Sequence, residues 1–235
     1  MNNITLNLNE AERKTKDITI KNHPEIFVLV QTMMNLYING FNLIENPSSK
    51  INDTNRLWLA LITRSFHSLI CSVELMKKGY YAQAVTLVRM VIEAYFLCGN
   101  CEKNKTIMDV LLHNKPHKRF NYRVLATNMG ALDWYDNDYV FACCFSHMSH
   151  ITLEAMTTKS NASYLDLKLL PSYDEIALIA CSKLLLRNGL LMTKFLGGLL
   201  DDLSEENVNA WHIKARTAVQ QAEVWSSGLK GKKRG

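Results

Sequence analysis

Apolar residues recur at intervals of three and four along most of this chain, which is the period of an α-helix. The pattern runs through long segments that begin near positions 24, 53, 80 and 172, and only four prolines interrupt the 235 residues. Strand-like pieces are short and scattered: ITLNL and ITI lie near the N-terminus and YLDLKLL lies at 164–170. The sequence therefore predicts an all-α fold, a bundle of about six to eight helices.

Turn and cap residues divide this bundle into segments. Gly79 follows one apolar run and immediately precedes the next, which predicts an antiparallel helical hairpin. Asp53 is a good N-cap, and Ser172 with Glu175 has the spacing of a capping box. The predicted helices cover about 24–44, 53–78, 80–101, 104–113, 117–130, 134–156, 172–200 and 204–225. We expect an N-terminal extension at 1–22, one helical domain at 23–227 and a basic disordered tail at 228–235.

The longest uncharged stretch, 26–44, is interrupted by four amide side chains, so we expect no membrane span. The N-terminal residues contain no apolar core of a secretory signal. A cytoplasmic protein with reduced cysteines is the resulting prediction. Cys98 and Cys101 form a C-x-x-C that closes an apolar helical run, whereas a redox motif opens a helix, so we predict core thiols at a helix end.

The segment predicted as the third helix carries two charges inside an apolar run, Arg89 and Glu93. They are four positions apart and share one helix face. A buried charge is costly unless it is paired, so they should pair with each other or across the bundle. Two interpretations stay open: a structural ion pair, or a polar site within the bundle.

The preceding helix presents a polar stripe at steps of three and four. This stripe consists of Arg64, His67, Cys71 and Glu74. It is either a solvated face, or it turns Arg64 and His67 toward Arg89 and Glu93 on the adjacent helix.

The segment 134–156 carries a second stripe at helical spacing. The stripe consists of Asp136, Cys143, His147, His150 and Glu154. Imidazole and carboxylate suit zinc or iron, but the chain has neither H-E-x-x-H nor E-x-x-H. The alternatives are a metal site through His147, His150 and Glu154, or a buried hydrogen-bonded histidine, and we expect no metal and no other cofactor.

The net charge of +5 is concentrated in two places, the C-terminal tail and the segment 113–123. The cations of this segment are Lys115, Lys118, Arg119 and Arg123. Phe120 and Tyr122 lie among them, a mixture that can hold a single nucleic-acid strand by charge and stacking. An ordinary solvated loop is the alternative.

Several of these residues carry a resemblance to a known family. Gly79, Tyr81, Ala84, Arg89 and Glu93 form G-x-Y-x-x-A-x4-R-x3-E, which resembles a signature of uncharacterised bacterial helical proteins. Cys144-Phe145-Ser146-His147 resembles their Ser/Thr and His element, with His150 as the competing match, and 171–175 resembles their C-terminal portion. The resemblance covers about residues 55–200.

This group is in turn similar to HEPN-type helical bundles, many of which are ribonucleases of toxin–antitoxin and phage-defence systems. The resemblance implies a HEPN-like core, a bacterial source and RNA as substrate. The catalytic R-x4–6-H of those nucleases is absent, because none of the arginines precedes a histidine at that spacing. A site would have to be assembled from separate helices.

The expected function is that of a bacterial cytoplasmic HEPN-like protein with a polar site inside the bundle, acting as a metal-independent ribonuclease. Arginine contacts phosphate oxygens and histidine transfers protons near neutral pH. The candidate catalytic residues are Arg89, Glu93, His147, His150, Arg64 and His67. The alternative is a non-catalytic interaction module whose helix faces bind a partner protein or a second copy.

Overall fold

A computed structural model describes residues 2–44, 52–113, 115–116, 119–146, 157–159, 165–167, 170–201 and 205–231. Helices account for nearly all of this described part, which confirms the all-α class. The helices are α1 (Asn2–Asn22), α2 (Pro24–Ile44), α3 (Asp53–Lys77), α4 (Tyr81–Asn100), α5 (Lys105–Leu111), α6 (Tyr122–Asn128), α7 (Leu132–Trp134), a π-helix (Tyr135–Tyr139), α8 (Val140–Ser146), α9 (Glu175–Leu200) and α10 (Glu205–Gly231). Two short strands, β1 (Thr157–Lys159) and β2 (Leu165–Leu167), pair antiparallel, with Thr157 opposite Leu167.

The centre of the bundle is α9, which packs against α2, α3 and α4, while α10 covers α2 and α9. Buried residues of α9 extend from Leu178 to Leu200. The Tyr37 hydroxyl of α2 donates a 2.6 Å hydrogen bond to the Gly189 carbonyl of α9. Burial of this phenol raises its pKa far above the ordinary value.

The predicted hairpin of α3 and α4 is present. Gly79 ends α3 with a φ of +89°, a conformation that side chains other than glycine adopt only with strain. A Cβ atom at this position would also lie 2.8 Å from the Ser172 carbonyl oxygen. The turn therefore needs glycine for its backbone angle and for its close contact with the segment that precedes α9.

Both ends of the chain differ from the sequence prediction. The strand candidates before residue 22 belong to α1, which buries Thr15 and Thr19 and is tied to α3 by a 2.9 Å ion pair between Glu12 and Lys78. At the other end α10 continues to Gly231, so 228–231, expected as disordered tail, are helical, and 232–235 lie outside the described residues.

Three helix boundaries also need correction. Asn52 caps α3 in place of Asp53. The Asp174 carboxylate caps α9 by accepting a 3.0 Å hydrogen bond from the Ala177 amide, so Ser172 and Glu175 form no capping box there. The helix expected from 134 contains a π-helical turn, and its predicted continuation at 147–156 lies outside the described residues.

Four helices, α2, α3, α4 and α9, are long and apolar enough by length and composition to cross a membrane. Between 39% and 61% of the residues in their apolar windows are buried inside the protein. α2 coincides with the stretch in which the sequence predicts no span. The absence of a span and the cytoplasmic location stay predictions.

Candidate functional site

The Arg89–Glu93 pair on α4 forms as the four-residue spacing predicts. Arg89 Nε lies 3.3 Å from Glu93 Oε1, and the two side chains are 25% and 19% exposed. Both side chains lie away from the core side of α4, which is occupied by the buried residues Val88, Val91 and Ile92. The pair is thus half-buried but reached by solvent.

Two tyrosines from distant segments meet this pair. The Tyr139 hydroxyl, at the end of the π-helix, donates a 3.2 Å hydrogen bond to Glu93 Oε1. Tyr122, at the start of α6, also shares a hydrogen bond with Glu93, and its ring centroid lies 5.5 Å from that of Tyr139. Burial raises the pKa of Tyr122 to about 12, and the Glu93 charge acts in the same direction. Both phenols therefore stay protonated and serve as hydrogen-bond donors to Glu93.

Arg89 keeps unused hydrogen-bonding capacity. Its Nε atom is buried and has no hydrogen-bond partner among the described residues, although it is within ion-pair distance of Glu93. The Cys143 thiol of α8 hydrogen-bonds with Arg89 and with Tyr139, and burial raises its pKa. A raised thiol pKa makes Cys143 a weak nucleophile, so we assign it no covalent role.

Arg64 and His67 of α3 have different positions. Arg64 is exposed and its charge acts on Tyr122, as does the charge of Arg89, both opposing the rise in the pKa of that phenol. Arg64 is therefore near enough to Tyr122 for its charge to act on that phenol. His67 is exposed, and its ring contact is with its chain neighbour Phe66 at 6.2 Å. The stripe around it, including Cys71 and Glu74, is a solvated face.

We define the Arg89–Glu93 cluster as Arg64, Arg89, Glu93, Tyr122, Tyr139 and Cys143. It combines two guanidinium groups, one carboxylate and two phenolic donors on α3, α4, α6, the π-helix and α8. A half-buried guanidinium such as that of Arg89 binds phosphate or carboxylate oxygens well, since the lower dielectric strengthens the contact.

Two predicted histidines, His147 and His150, lie outside the described residues, as does Glu154. The metal alternative that rests on these three residues is therefore untested. Within the part of the chain that the structure describes, no group of three or more His, Cys, Asp or Glu side chains is placed to hold a metal ion.

The described residues of the basic segment 113–123 lie in different environments. Lys115 forms a 3.0 Å ion pair with Asp109, Lys118 lies outside the described residues, and Arg119 and Arg123 are exposed. Tyr122, expected to stack on a nucleic-acid base, is instead turned inward to Glu93. The segment therefore contributes its tyrosine to the cluster and leaves Arg119 and Arg123 at the surface beside α6.

Cys98 and Cys101 are buried thiols at the end of α4, as predicted. Burial raises the pKa of both. The Trp58 indole nitrogen donates to Cys101 Sγ at 3.1 Å and to the Cys98 carbonyl at 3.1 Å. These contacts are typical of core packing.

Sequence reasoning missed a second polar group, which we call the Asp138 network: Trp134, Asp138, Arg187 and Asn188. Asp138 is 6% exposed on the π-helix and accepts hydrogen bonds from Trp134 at 2.9 Å and from Asn188 at 3.0 Å. Arg187 adds an ion pair at 3.0 Å. The signal was present in the sequence, since Arg187 and Asn188 interrupt the apolar run of α9 as Arg89 and Glu93 interrupt that of α4.

Comparisons of this chain with protein-family models, with curated proteins and with solved structures find no match. The resemblance to HEPN-type bundles therefore stays a prediction that rests on the quoted residues. What the chain does has to be inferred from the geometry of its polar clusters.

Proposed function

We propose that the Arg89–Glu93 cluster is the active site of a bacterial, cytoplasmic, HEPN-like ribonuclease that needs no metal. The observation that supports this most is Arg89, which Glu93 holds at a solvent-reached position, together with exposed Arg64, whose charge acts on the same Tyr122 phenol. The two guanidinium charges exceed the single Glu93 carboxylate, and a phosphodiester supplies a further anion with several acceptor oxygens. A role in defence or as a toxin follows from the resemblance alone.

The chemistry of RNA self-cleavage matches these groups. A base removes the proton from the 2′-OH, the resulting oxygen attacks phosphorus, and the bond to the 5′-oxygen breaks as that oxygen receives a proton. Arg64 and Arg89 would stabilise the added negative charge on the phosphorane. Glu93 would orient Arg89, because a carboxylate on one side of a guanidinium fixes the direction of its remaining donors.

The proton transfers need a group that titrates near neutral pH, and both phenols of the cluster stay protonated there. In our proposal His147 carries the transfers, with His150 as the competing candidate. His147 follows Cys143 by four positions in the sequence, and Cys143 hydrogen-bonds with Arg89. Exposed Arg119 and Arg123, together with Lys115 and Lys118, would hold the rest of the strand by charge.

The test is cleavage of end-labelled single-stranded RNA by the pure protein, with and without EDTA. We expect cleavage that survives EDTA and leaves a 2′,3′-cyclic phosphate, because the nucleophile is the neighbouring hydroxyl. His147→Ala should abolish cleavage, while His67→Ala, a matched loss of an exposed histidine, should leave it unchanged. No cleavage by folded protein, or equal loss in both variants, would contradict the proposal.

A second candidate function is a non-catalytic interaction module, which one surface feature favours. Ile213 and Val224 on α10 are 58% and 73% exposed. They are eleven positions apart, about three helical turns, so they share one outer face. Such a face suits a second copy or another helical protein. Light scattering should then give the mass of a dimer for the wild type and of a monomer for Val224→Glu, and a wild-type monomer would count against self-association.

A further inference from the structure

A groove that shares no residue with the Arg89–Glu93 cluster lies between α9, α10 and the start of α3. It is a groove of about 860 Å³, within the usual range for a small-molecule site. Its floor contains Gly197 and Gly198, two glycines inside a long helix. Glycine inside a helix is less stable than alanine, because it loses more backbone freedom on folding. Their presence therefore calls for a compensating reason.

The reason is the close approach of two rings. A Cβ atom at Gly198 would lie 3.1 Å from Cζ3 of Trp58, and one at Gly197 would lie 3.0 Å from Cε1 of His212. Both distances are tighter than ordinary carbon contacts. The two glycines let an indole and an imidazole settle directly on the backbone of α9 and line the groove.

Both rings are held in fixed orientations. The Trp58 indole nitrogen points away into the protein, donating to the Cys98 carbonyl at 3.1 Å, and its ring packs against Phe195 with centroids 5.2 Å apart. His212 Nε2 is 3.0 Å from Asp201 Oδ1. Prior fixation of the rings lowers the entropy cost of binding a ligand against them.

The charges at the groove are mainly positive. Lys194 of α9 and Arg216 of α10 line it and are exposed, and neither has an ion-pair partner within the described ranges. Of the described residues that line the groove, Asp201 is the one carboxylate, and it faces His212. An anion that enters the groove therefore meets two cations that have no ion-pair partner within the described ranges.

We propose that this groove binds a small planar aromatic oxyanion, with the ring against Trp58 and the carboxylate or phosphate group between Arg216 and Lys194. The flat indole offers a surface for a ring, and the guanidinium offers parallel donors to an oxyanion. His212, oriented by Asp201, adds a donor when protonated. The site is separate from the Arg89–Glu93 cluster and does not depend on its function.

The experiment is calorimetric titration of the full chain at neutral pH with 2-naphthoate and with 2-naphthyl phosphate. Naphthalene-2-methanol, which has the ring without the charge, and acetate and inorganic phosphate, which have the charge without the ring, are the matched probes. We expect one or both aromatic anions to bind with one site per chain. The three matched probes should bind at least about tenfold more weakly, since each lacks one of the two contacts.

Variants locate the site. Arg216→Glu should weaken binding at least about tenfold, because a charge-assisted contact becomes a repulsion. Lys214→Glu, an equal charge change at an exposed residue two positions away that does not line the groove, should change it less than about twofold. Circular dichroism checks that both variants fold. Preference for naphthoate or for naphthyl phosphate identifies the oxyanion, and either supports the proposal. Absence of binding by both aromatic anions, equal binding of the uncharged alcohol, or unchanged binding by Arg216→Glu would overturn it.

Discussion

The Asp138 network and the Arg89–Glu93 cluster are both polar groups set into apolar helices, but they differ in how completely they are satisfied. Asp138 is buried and accepts from Trp134, Asn188 and Arg187, and Trp134 and Asn188 also bond to each other at 2.9 Å. In the Arg89–Glu93 cluster the acceptor Glu93 is well supplied with donors, whereas Arg89 Nε lacks a hydrogen bond among the described residues.

This difference is why we assign a structural role to the Asp138 network and a binding role to the Arg89–Glu93 cluster. A network in which every buried group is paired rigidifies the core. A cluster in which cations exceed carboxylates and solvent enters has binding capacity left over. The π-helix joins the two, since Asp138 points into the network and the next residue, Tyr139, points into the cluster. Single π-helical turns often occur at functional sites.

The largest effect should come from Asp138→Ala. Removal of this carboxylate breaks three hydrogen bonds at once, those from Trp134, Asn188 and Arg187. The Trp134 indole keeps Asn188 Oδ1 and the Asn188 amide keeps the Leu184 carbonyl as acceptors, while Arg187 is 54% exposed. We expect a loss of about 3 kcal/mol in the free energy of unfolding. Urea denaturation measures it, with Asp136→Ala as the control at an exposed neighbour. A loss below about 1 kcal/mol would show that the network is not a structural unit.

The same carboxylate gives a pH test. Burial raises the pKa of Asp138 above its ordinary value of 3.8, although Arg187 opposes the shift. The folded state then holds this proton more tightly than the unfolded chain, so the contribution of Asp138 to stability falls as pH rises from the ordinary to the raised pKa. Between these values the wild type should lose stability relative to Asp138→Asn, which cannot titrate. Parallel stability curves for the two proteins would refute the shift.

A smaller loss is expected from Arg89→Ala. A fully sealed pair would cost about 3 kcal/mol or more when broken, but Glu93 reaches solvent and keeps its tyrosine donors. We therefore expect about 1–2 kcal/mol, less than for Asp138→Ala. Thermal melting of both variants in one buffer makes the comparison. A larger loss for Arg89→Ala than for Asp138→Ala would show that the Arg89–Glu93 cluster, and not the Asp138 network, is the more completely paired group.

The smallest effect should come from a pair at the surface. Lys77 and Glu74 lie 2.7 Å apart on α3, and the hydrogen bond from Lys77 lowers the pKa of Glu74. Exposed pairs contribute little, because water and salt screen them, so Lys77→Ala should cost less than about 0.5 kcal/mol. Denaturation in low and high salt measures this value, and a cost that exceeds that of Arg89→Ala would undermine the ranking by burial.

How far the sequence predicts this molecule depends on whether a feature is local. The hairpin of α3 and α4, the helical core and the Arg89–Glu93 pair follow from spacing and from Gly79, all within a few residues. The partners Tyr122 and Tyr139 come from 29 and 46 positions further on than Glu93, where no spacing rule applies.

Other features are decided by the tertiary structure. The helical state of α1 was missed because its own residues favour no single structure, and packing of Thr15 and Thr19 against the bundle outweighs weak local preference. The π-helical turn cannot be found from periodicity, since its five residues are too few to show a change of period.

Our central proposal is that the Arg89–Glu93 cluster binds RNA. Substitution of Arg64 tests this proposal most directly, because Arg64 is exposed and its loss should leave the fold intact. Fluorescence anisotropy with labelled single-stranded RNA over a range of salt concentrations compares the wild type with Arg64→Ala and with Arg56→Ala, an exposed arginine near the start of the same helix. We predict that Arg64→Ala weakens binding and lowers the salt slope by about 0.7, the loss of one phosphate contact, while Arg56→Ala changes neither. Equal effects of the two substitutions, or no RNA binding by the folded wild type, would contradict the claim.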